Sequence, residues 1–163
     1  DLEVMEGSLA YPMPIVLGHE GAGVVERVGE GVTMVAPGDH VVCSWNPHCG
    51  HCFYCERDQP ILCEPFTRHQ PRGLLLDGTT RLRRGGQPVH HYSVTSTHAQ
   101  YTVVPAFKAV HLPDRADFEA GACMGIPVMT AHRCVMADGP VLGKTILVHG
   151  GAGAVYIVLR KPR

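Results

Sequence analysis

The sequence predicts a mainly β protein with some α-helix: a small barrel or sandwich of short strands, followed by an α/β segment. Three observations support this fold class. Before residue 113, short β-rich runs alternate with glycine and proline turns. From Asp117 the pattern becomes helical. The apolar run at residues 144–149 is typical of a strand buried in a parallel sheet.

The elements follow from local residue patterns. The predicted strands cover residues 15–17, 23–28, 40–43, 100–104 and 108–112. Residues 45–65 show little periodicity, and the arginine-rich residues 66–90 are predicted to be a solvated loop. We expect Asp117 to cap a first helix and Pro127 to open a second one that runs to Met136.

Composition excludes several classes of protein. The 163 residues are 45% hydrophobic and 18% charged, with a net charge of −1, which is a globular balance. Fourteen basic against fifteen acidic residues give no bulk attraction to nucleic acid or to an anionic membrane. No apolar run approaches the length of a membrane span. Residues 1–11 lack the pattern of a secretory signal, so the expected location is cytoplasmic.

Four of the seven cysteines form a cluster in the sequence. They are Cys49, Cys52, Cys55 and Cys63. Two-residue gaps allow neighbouring thiolates to turn toward one ion, and four thiolates complete the tetrahedron that structural zinc prefers. Such a metal replaces a hydrophobic core, with apparent contributions on the order of 10–16 kcal/mol in small zinc modules. Redox-active cysteines and incidental free thiols are the alternatives.

A second motif surrounds a single histidine. Gly18-His19-Glu20, Gly23, Gly29 and Val32 form the pattern G-H-E-x-x-G-x5-G-x2-V. With the cysteine cluster and the segments at residues 77–81, 88–91 and 101–104, this pattern resembles the zinc-containing alcohol dehydrogenases of the medium-chain dehydrogenase/reductase superfamily. The resemblance covers nearly the whole chain.

The resemblance implies a fold and two metal sites. Residues 1–125 are expected to form a GroES-like, partly open β-barrel whose structural-zinc lobe spans about residues 45–65. Residues 126–163 are expected to be the truncated start of a Rossmann α/β domain. His19 would be a ligand of the catalytic zinc, Glu20 would lie beside that metal, and Asp1 would hydrogen-bond the histidine.

The last third of the sequence resembles another branch of the same superfamily. Thr130 matches a threonine that contacts nicotinamide, and this alignment places Ile126, which cannot bind zinc, at the position of a cysteine ligand. The segments at residues 125–127 and 130–133 are similar to zinc-free quinone oxidoreductases. Cys123, one helical turn away, could replace the missing ligand only if the backbone shifted.

A glycine-rich turn predicts a binding site for NAD(P). Gly150 and Gly153 follow the predicted strand at residues 144–149, as in a dinucleotide fingerprint. The last glycine of that fingerprint is replaced by Tyr156, which would obstruct close packing of helix and strand. Dinucleotide binding is therefore expected of the full-length relative and not of this chain alone.

The expected function is zinc-dependent hydride transfer between an alcohol or aldehyde and NAD(P), with this chain a fragment that is inactive alone. Two alternatives remain open at this point: a non-catalytic zinc-binding domain and a zinc-independent NADPH:quinone reductase. The resemblance also implies a homo-oligomer. The unpaired apolar strand at residues 146–148 predicts that the fragment aggregates.

Overall fold

The computed structural model describes residues 1–136, 139–143 and 145. This part of the chain contains short strands and short helices joined by turns. The strands are β1 (Ile15–Val16), β2 (Ala22–Val24), β3 (His40–Cys43), β4 (Leu82–Arg84), β5 (Gln87–His91) and β6 (Ala109–His111). The helices are α1 (Leu2–Met5), α2 (Glu64–His69), α3 (Phe118–Cys123) and α4 (Met129–Met136).

The strands form two separate three-stranded sheets. In the first sheet β5 lies between β1, to which it runs parallel, and β4, to which it runs antiparallel. In the second sheet β3 lies between β2 and β6, and both pairs are antiparallel. Across residues 1–136, 139–143 and 145 these sheets do not close into a barrel. The architecture is therefore mixed β with few helices, as the sequence predicts.

The strand predictions are confirmed at β1, β3 and β6. The predicted strand at residues 23–28 ends at Val24, although the Val25 amide still donates to the Asp39 carbonyl (2.9 Å). The predicted strand at residues 100–104 is wrong, because these residues form a bend and irregular backbone.

The prediction of a solvated loop over residues 66–90 is also wrong. Most of α2, all of β4 and all of β5 except its last residue lie in this range. Arg83 and Arg84 are exposed on β4, whereas Val89 on the facing strand β5 is buried. The hairpin thus has one face toward solvent and one toward the interior, as alternating side chains on a strand allow. The many arginines in this part of the sequence hide that alternation.

The helical region confirms one boundary and moves another. The Asp117 carboxylate caps α3 by accepting a hydrogen bond from the Ala120 amide (3.0 Å). Pro127 does not open a helix, because it lies inside a turn of π-helix, Met124–Val128, between α3 and α4. Gly125 in that turn approaches the Cys43 carbonyl so closely that a Cβ there would lie 2.5 Å from the oxygen. The π-helical turn accommodates both the close approach and the missing proline N–H.

A compact apolar cluster supports the loop that contains the cysteines. Its fully buried members include Cys63 and Val94, and Phe66 and Leu75 complete the cluster. Cys49, Cys52 and Cys55 pack against this cluster. Leucine, phenylalanine and valine from distant parts of the sequence therefore stabilise a loop that has little secondary structure of its own.

Several predictions fall outside the described residues. They concern the strand at residues 144–149, of which the structure describes Thr145 alone, and also Gly150, Gly153 and the aggregation-prone segment at residues 146–148. In the described part of the chain, no helix is both long and apolar enough to cross a bilayer.

Candidate functional site

The structure brings the four clustered cysteines together around one point. The sulfur atoms of Cys49, Cys52, Cys55 and Cys63 all lie within 4.8 Å of one another. The Cys52 and Cys55 sulfurs are 3.4 Å apart, and those of Cys49 and Cys55 are 4.0 Å apart. We call these four residues the cysteine quartet and residues 45–64 the cysteine lobe.

Tight turns of the backbone produce this convergence. Gly50 has φ of +82°, a conformation that glycine adopts readily and that turns the chain directly after Cys49. A 3-10 turn, Cys55–Arg57, follows and ends at Asp58 in the left-handed region (φ 55°). Cys63 lies 14 residues from Cys49, yet its sulfur accepts a hydrogen bond from the Cys49 amide (3.3 Å).

The surroundings of Cys52 favour a charged thiolate, whereas those of Cys63 favour a neutral thiol. Hydrogen bonding by the Glu64 backbone lowers the pKa of Cys52 and favours its thiolate. Burial raises the pKa of Cys63, because the surrounding apolar side chains disfavour a charged sulfur. A buried thiol beside three others becomes a thiolate only when a cation compensates the charge.

The quartet fits zinc. Four thiolates at about 2.3 Å from a tetrahedral zinc lie about 3.8 Å from one another. The sulfur separations of 3.4 and 4.0 Å are close to this value. With four protein ligands, such a site has no open position for water or substrate, so its role is structural.

The predicted histidine site is also assembled, in part. The His19 Nδ1 lies 2.6 Å from the Asp1 carboxylate, whose other oxygen accepts a hydrogen bond from the Gly18 amide (2.7 Å). Burial lowers the pKa of His19, which favours the neutral ring. In that ring the carboxylate holds the proton on Nδ1, so the lone pair of Nε2 is the one available to an acceptor contact or a metal ion.

Two tyrosines that the sequence motifs do not indicate lie at this site, one against the histidine and the other behind it. The Tyr92 ring packs edge-on against the His19 ring, with centroids 5.4 Å apart. Tyr11 packs against Tyr92 at 5.1 Å and receives a hydrogen bond from Gln70. Tyr92 directly follows β5, one residue beyond the predicted segment at residues 88–91. Tyr92 comes close to His19 because β5 pairs in parallel with β1, and this pairing is not evident from the sequence.

Buried polar groups fill the space beside Tyr92. His91 is fully buried, and its Nε2 accepts a hydrogen bond from the Arg81 amide (3.4 Å). Its Nδ1–H therefore donates to the Ser96 hydroxyl oxygen (3.2 Å). That oxygen also accepts from the Tyr92 amide (3.0 Å). Because both ring nitrogens are used, protonating His91 breaks a hydrogen bond and buries a charge.

The burial of His91 predicts a pH-dependent stability. Burial, as the largest cause, lowers its pKa from 6.5 to about 4. Between these values the unfolded chain binds more protons than the folded chain, so the free energy of unfolding falls as the pH is lowered. The expected loss is at most about 3 kcal/mol. Urea unfolding of wild type and His91→Asn measures it, because acid release of metal is common to both proteins. A wild-type advantage that is constant between pH 6.5 and 4 would contradict this prediction.

Other predicted residues do not join His19. Glu20 is exposed beside it, Cys123 is exposed at the end of α3, and Thr130 is exposed on α4. Ile126 lies half-buried in the π-helical turn. Among the described residues, the cysteine quartet is the one group of three or more potential ligands close enough to share an ion. The structure therefore places one candidate metal ligand, backed by Asp1, at the histidine site.

Comparisons with known proteins show which family and which solved structures this chain is similar to. The family model for the alcohol dehydrogenase GroES-like domain matches residues 1–114. S-(hydroxymethyl)glutathione dehydrogenase from Escherichia coli (strain SMS-3-5 / SECEC) is 41% identical over 146 residues, which are 90% of this chain and 40% of that protein. The chain thus spans about two fifths of the length of the curated relatives that it matches.

Solved structures show the same similarity. An alcohol dehydrogenase zinc-binding domain protein from Burkholderia ambifaria has a TM-score of 0.74 and 36% identity, over 83% of this chain and 37% of that one. Benzyl alcohol dehydrogenase from Acinetobacter calcoaceticus has a TM-score of 0.71 and 29% identity, over 82% and 36%. A cobalt- and zinc-bound thermostable alcohol dehydrogenase from Pyrobaculum aerophilum has a TM-score of 0.56 and 33% identity, over 82% and 34%.

Proposed function

The chain belongs to the alcohol dehydrogenase GroES-like domain family, and on that premise we propose that it supplies the zinc-binding domain of a zinc-dependent alcohol dehydrogenase. The whole enzyme transfers a hydride between an alcohol or aldehyde and NAD(P). One observation carries this proposal: a complete cysteine quartet and an Asp1–His19 pair occur in the same domain. The quartet supplies structural zinc, and the pair supplies the histidine of the reaction centre.

Zinc in the quartet is a folding element. The cysteine lobe contains two 3-10 turns, Cys55–Arg57 and Pro60–Leu62, and little other regular structure. Its side chains bury few apolar groups of their own, so metal–thiolate bonds supply the stability that a core supplies elsewhere. The neighbouring cluster with Phe66 and Leu75 then anchors the folded lobe to the rest of the domain.

His19 and Asp1 have distinct tasks in the proposed reaction. The Asp1 carboxylate orients the ring and fixes its tautomer, and the hydrogen bond from the Gly18 amide fixes the carboxylate in turn. A catalytic zinc, when bound, polarises the alcohol oxygen and lowers its pKa. The Tyr92 ring limits the access of water to His19 from one side. Thr130, together with Gly150 and Gly153 outside the described residues, is proposed to contact NAD(P).

The described residues do not complete a site for the catalytic zinc. At the histidine site these residues supply one candidate ligand, His19, and Ile126 occupies the position where the family resemblance implies a cysteine. This observation favours a second candidate function, in which the chain is a zinc-binding domain without redox activity. Zinc-independent reduction of quinones by NADPH is the further alternative that Ile126 supports.

Metal analysis of His19→Ala tests the division of ligands. We expect the purified chain to hold about one tightly bound zinc in the quartet. His19→Ala should retain that zinc, since His19 is not among the four converging sulfur donors. Zinc content is measured by atomic absorption after dialysis. Loss of all metal from this variant would show that the histidine belongs to the same site as the cysteines.

Activity of the protein that contains this chain separates the functions. Reduction of NAD or NADP is followed with a panel of alcohols, including S-(hydroxymethyl)glutathione and benzyl alcohol, the compounds named for its relatives. Alcohol-dependent turnover that His19→Ala abolishes supports the dehydrogenase. Quinone-dependent oxidation of NADPH that survives both His19→Ala and a chelator supports the reductase. Zinc binding with neither activity supports the non-catalytic domain.

A further inference from the structure

One short segment contacts both the histidine site and the cysteine lobe. We call residues 92–98 the bridging turn. At one end Tyr92 packs on His19, and at the other the Thr97 amide donates to the Gly18 carbonyl (3.1 Å). Between these ends Val94, fully buried, packs in the apolar cluster that includes Cys63. A change in the conformation of this turn would therefore reach both sites.

The backbone of the bridging turn is in a conformation that its residues do not prefer. Ser93, Val94 and Ser96 have φ of 50°, 58° and 55°, in the left-handed region that favours glycine. For a non-glycine residue this conformation is unfavourable, and it persists only where the surrounding structure holds it. The conformation of the turn therefore depends on interactions with the surrounding structure.

Lys108 supplies such an interaction and also contacts the lobe. Its side chain is fully buried, and Nζ donates to the carbonyl oxygens of Ser93 (2.9 Å) and Trp45 (3.3 Å). Within the described residues no carboxylate lies within ion-pair distance of Nζ. Burial lowers the pKa of Lys108 to about 7, which shows how unfavourable this position is for a charge. Burying an amine that has no anionic partner among the described residues costs free energy, and Lys108 is buried in spite of that cost.

The contacts beyond Trp45 lead to the metal ligands. The Trp45 ring packs edge-on against Phe66, with centroids 5.8 Å apart. Phe66 belongs to the cluster that contains Cys63 and against which the other three cysteines pack. Packing contacts therefore connect Trp45 to the cysteine quartet through Phe66.

We propose that Lys108 is a positioning residue that couples the cysteine lobe to His19, by joining the Trp45 carbonyl to the strained bridging turn. Metal in the quartet orders the lobe, and the ordered Trp45 carbonyl holds the Lys108 amine. The amine in turn holds Ser93 in the left-handed conformation that sets Tyr92 against His19. The proposal rests on the proposed function in one respect, that the quartet binds zinc.

The coupling is measured on the full chain by NMR, without any assay of activity. The His19 Cε1–Hε1 signal is assigned by its absence in His19→Ala. Zinc is removed from the quartet with a chelator and then restored. In wild type we expect the His19 signal to move on removal and to return on restoration, because the Tyr92 ring shifts the resonances of protons that lie against it.

Three variants locate the coupling. In Lys108→Met, a side chain of similar length without donors, we expect the response of His19 to zinc to be lost. Thr102→Val is the matched control, because Thr102 also donates to the bridging turn, at the Thr95 carbonyl, whereas among the described residues the hydrogen bond to the Trp45 carbonyl comes from Lys108. It should keep the response. Adding Ser93→Gly to Lys108→Met relieves the left-handed strain at that residue and should restore the zinc-bound position of the His19 signal.

Two results would overturn the proposal. One is a wild-type His19 signal that ignores removal and restoration of zinc, and the other is a Lys108→Met chain with the full wild-type response. If Lys108→Met does not fold, the wild-type response and the Lys108→Met/Ser93→Gly double variant still decide. Failure of the proposed function has a different appearance, since an inactive protein, or one without zinc at His19, can still show coupling between the quartet and the His19 ring.

Discussion

Replacing Cys55 by serine is expected to release the zinc of the quartet and to unfold the cysteine lobe. A serine hydroxyl is a poor zinc ligand at neutral pH, so three thiolates remain where structural zinc needs four ligands. Because the lobe depends on the metal, loss of the ion is loss of local structure. We expect the zinc content to fall from about one to near zero per chain, and limited proteolysis to cut within residues 45–64.

Cys123→Ser is the matched control for this experiment. Cys123 is exposed at the end of α3 and is not part of the quartet, so the same chemical change there should leave zinc content and protease resistance unchanged. Full zinc and an uncut lobe in Cys55→Ser would refute the tetrathiolate assignment. Mass spectrometry of the wild type provides a second check, because cysteines paired as disulfides would also refute it.

Replacing Gly18 by alanine should have the largest effect outside the lobe. Gly18 has φ of +95°, and a Cβ there would lie 2.4 Å from the His98 backbone nitrogen and 2.7 Å from the Thr97 hydroxyl oxygen. The backbone must move, because a main-chain nitrogen cannot rotate away as a flexible side chain does. We expect the free energy of unfolding to fall by roughly 2–4 kcal/mol and the Asp1–His19 hydrogen bond to be disturbed.

Two other glycines separate the causes of this loss. Gly7 also has positive φ (79°) but no atom within 4 Å of its would-be Cβ, so Gly7→Ala measures the conformational cost alone, about 1–2 kcal/mol. Gly23 has neither feature, so Gly23→Ala should be close to neutral or slightly stabilising. Urea unfolding of the three variants measures these differences. A loss in Gly18→Ala no larger than that in Gly7→Ala would contradict the predicted clash.

The cysteine quartet is a feature that could be predicted from local sequence alone. Its spacing encodes the chemistry of the ligands, because two-residue gaps and Gly50 suffice to turn neighbouring sulfurs toward one ion. The Gly-His-Glu motif likewise indicates His19, and the structure places Asp1 beside it. Asp117 was predictable as a helix cap for the same reason, since capping depends on residues within one turn.

Arginine-rich segments show where pattern reasoning fails. The β4–β5 hairpin is read as a solvated loop because charge dominates its composition, whereas strand formation there depends on Val89 packing inward. Residues 100–104 have the composition of a strand and do not form one, since β propensity becomes a strand only where a partner strand is available. In both places tertiary context outweighs local preference.

The sequence by itself was sufficient to recognise the family and to predict the four cysteines of one metal site and His19 of a second, because each prediction depends on residue identity at short spacing. Only the tertiary structure decided that Tyr92 covers His19, that His91 is buried in its neutral form and that Lys108 lies between the two sites. The physical reason is that burial and charge environment are set by residues far apart in the chain. Lys108, which sequence alone predicts to be the start of a strand, is fully buried and donates to the Ser93 carbonyl of the bridging turn, 15 residues earlier in the chain.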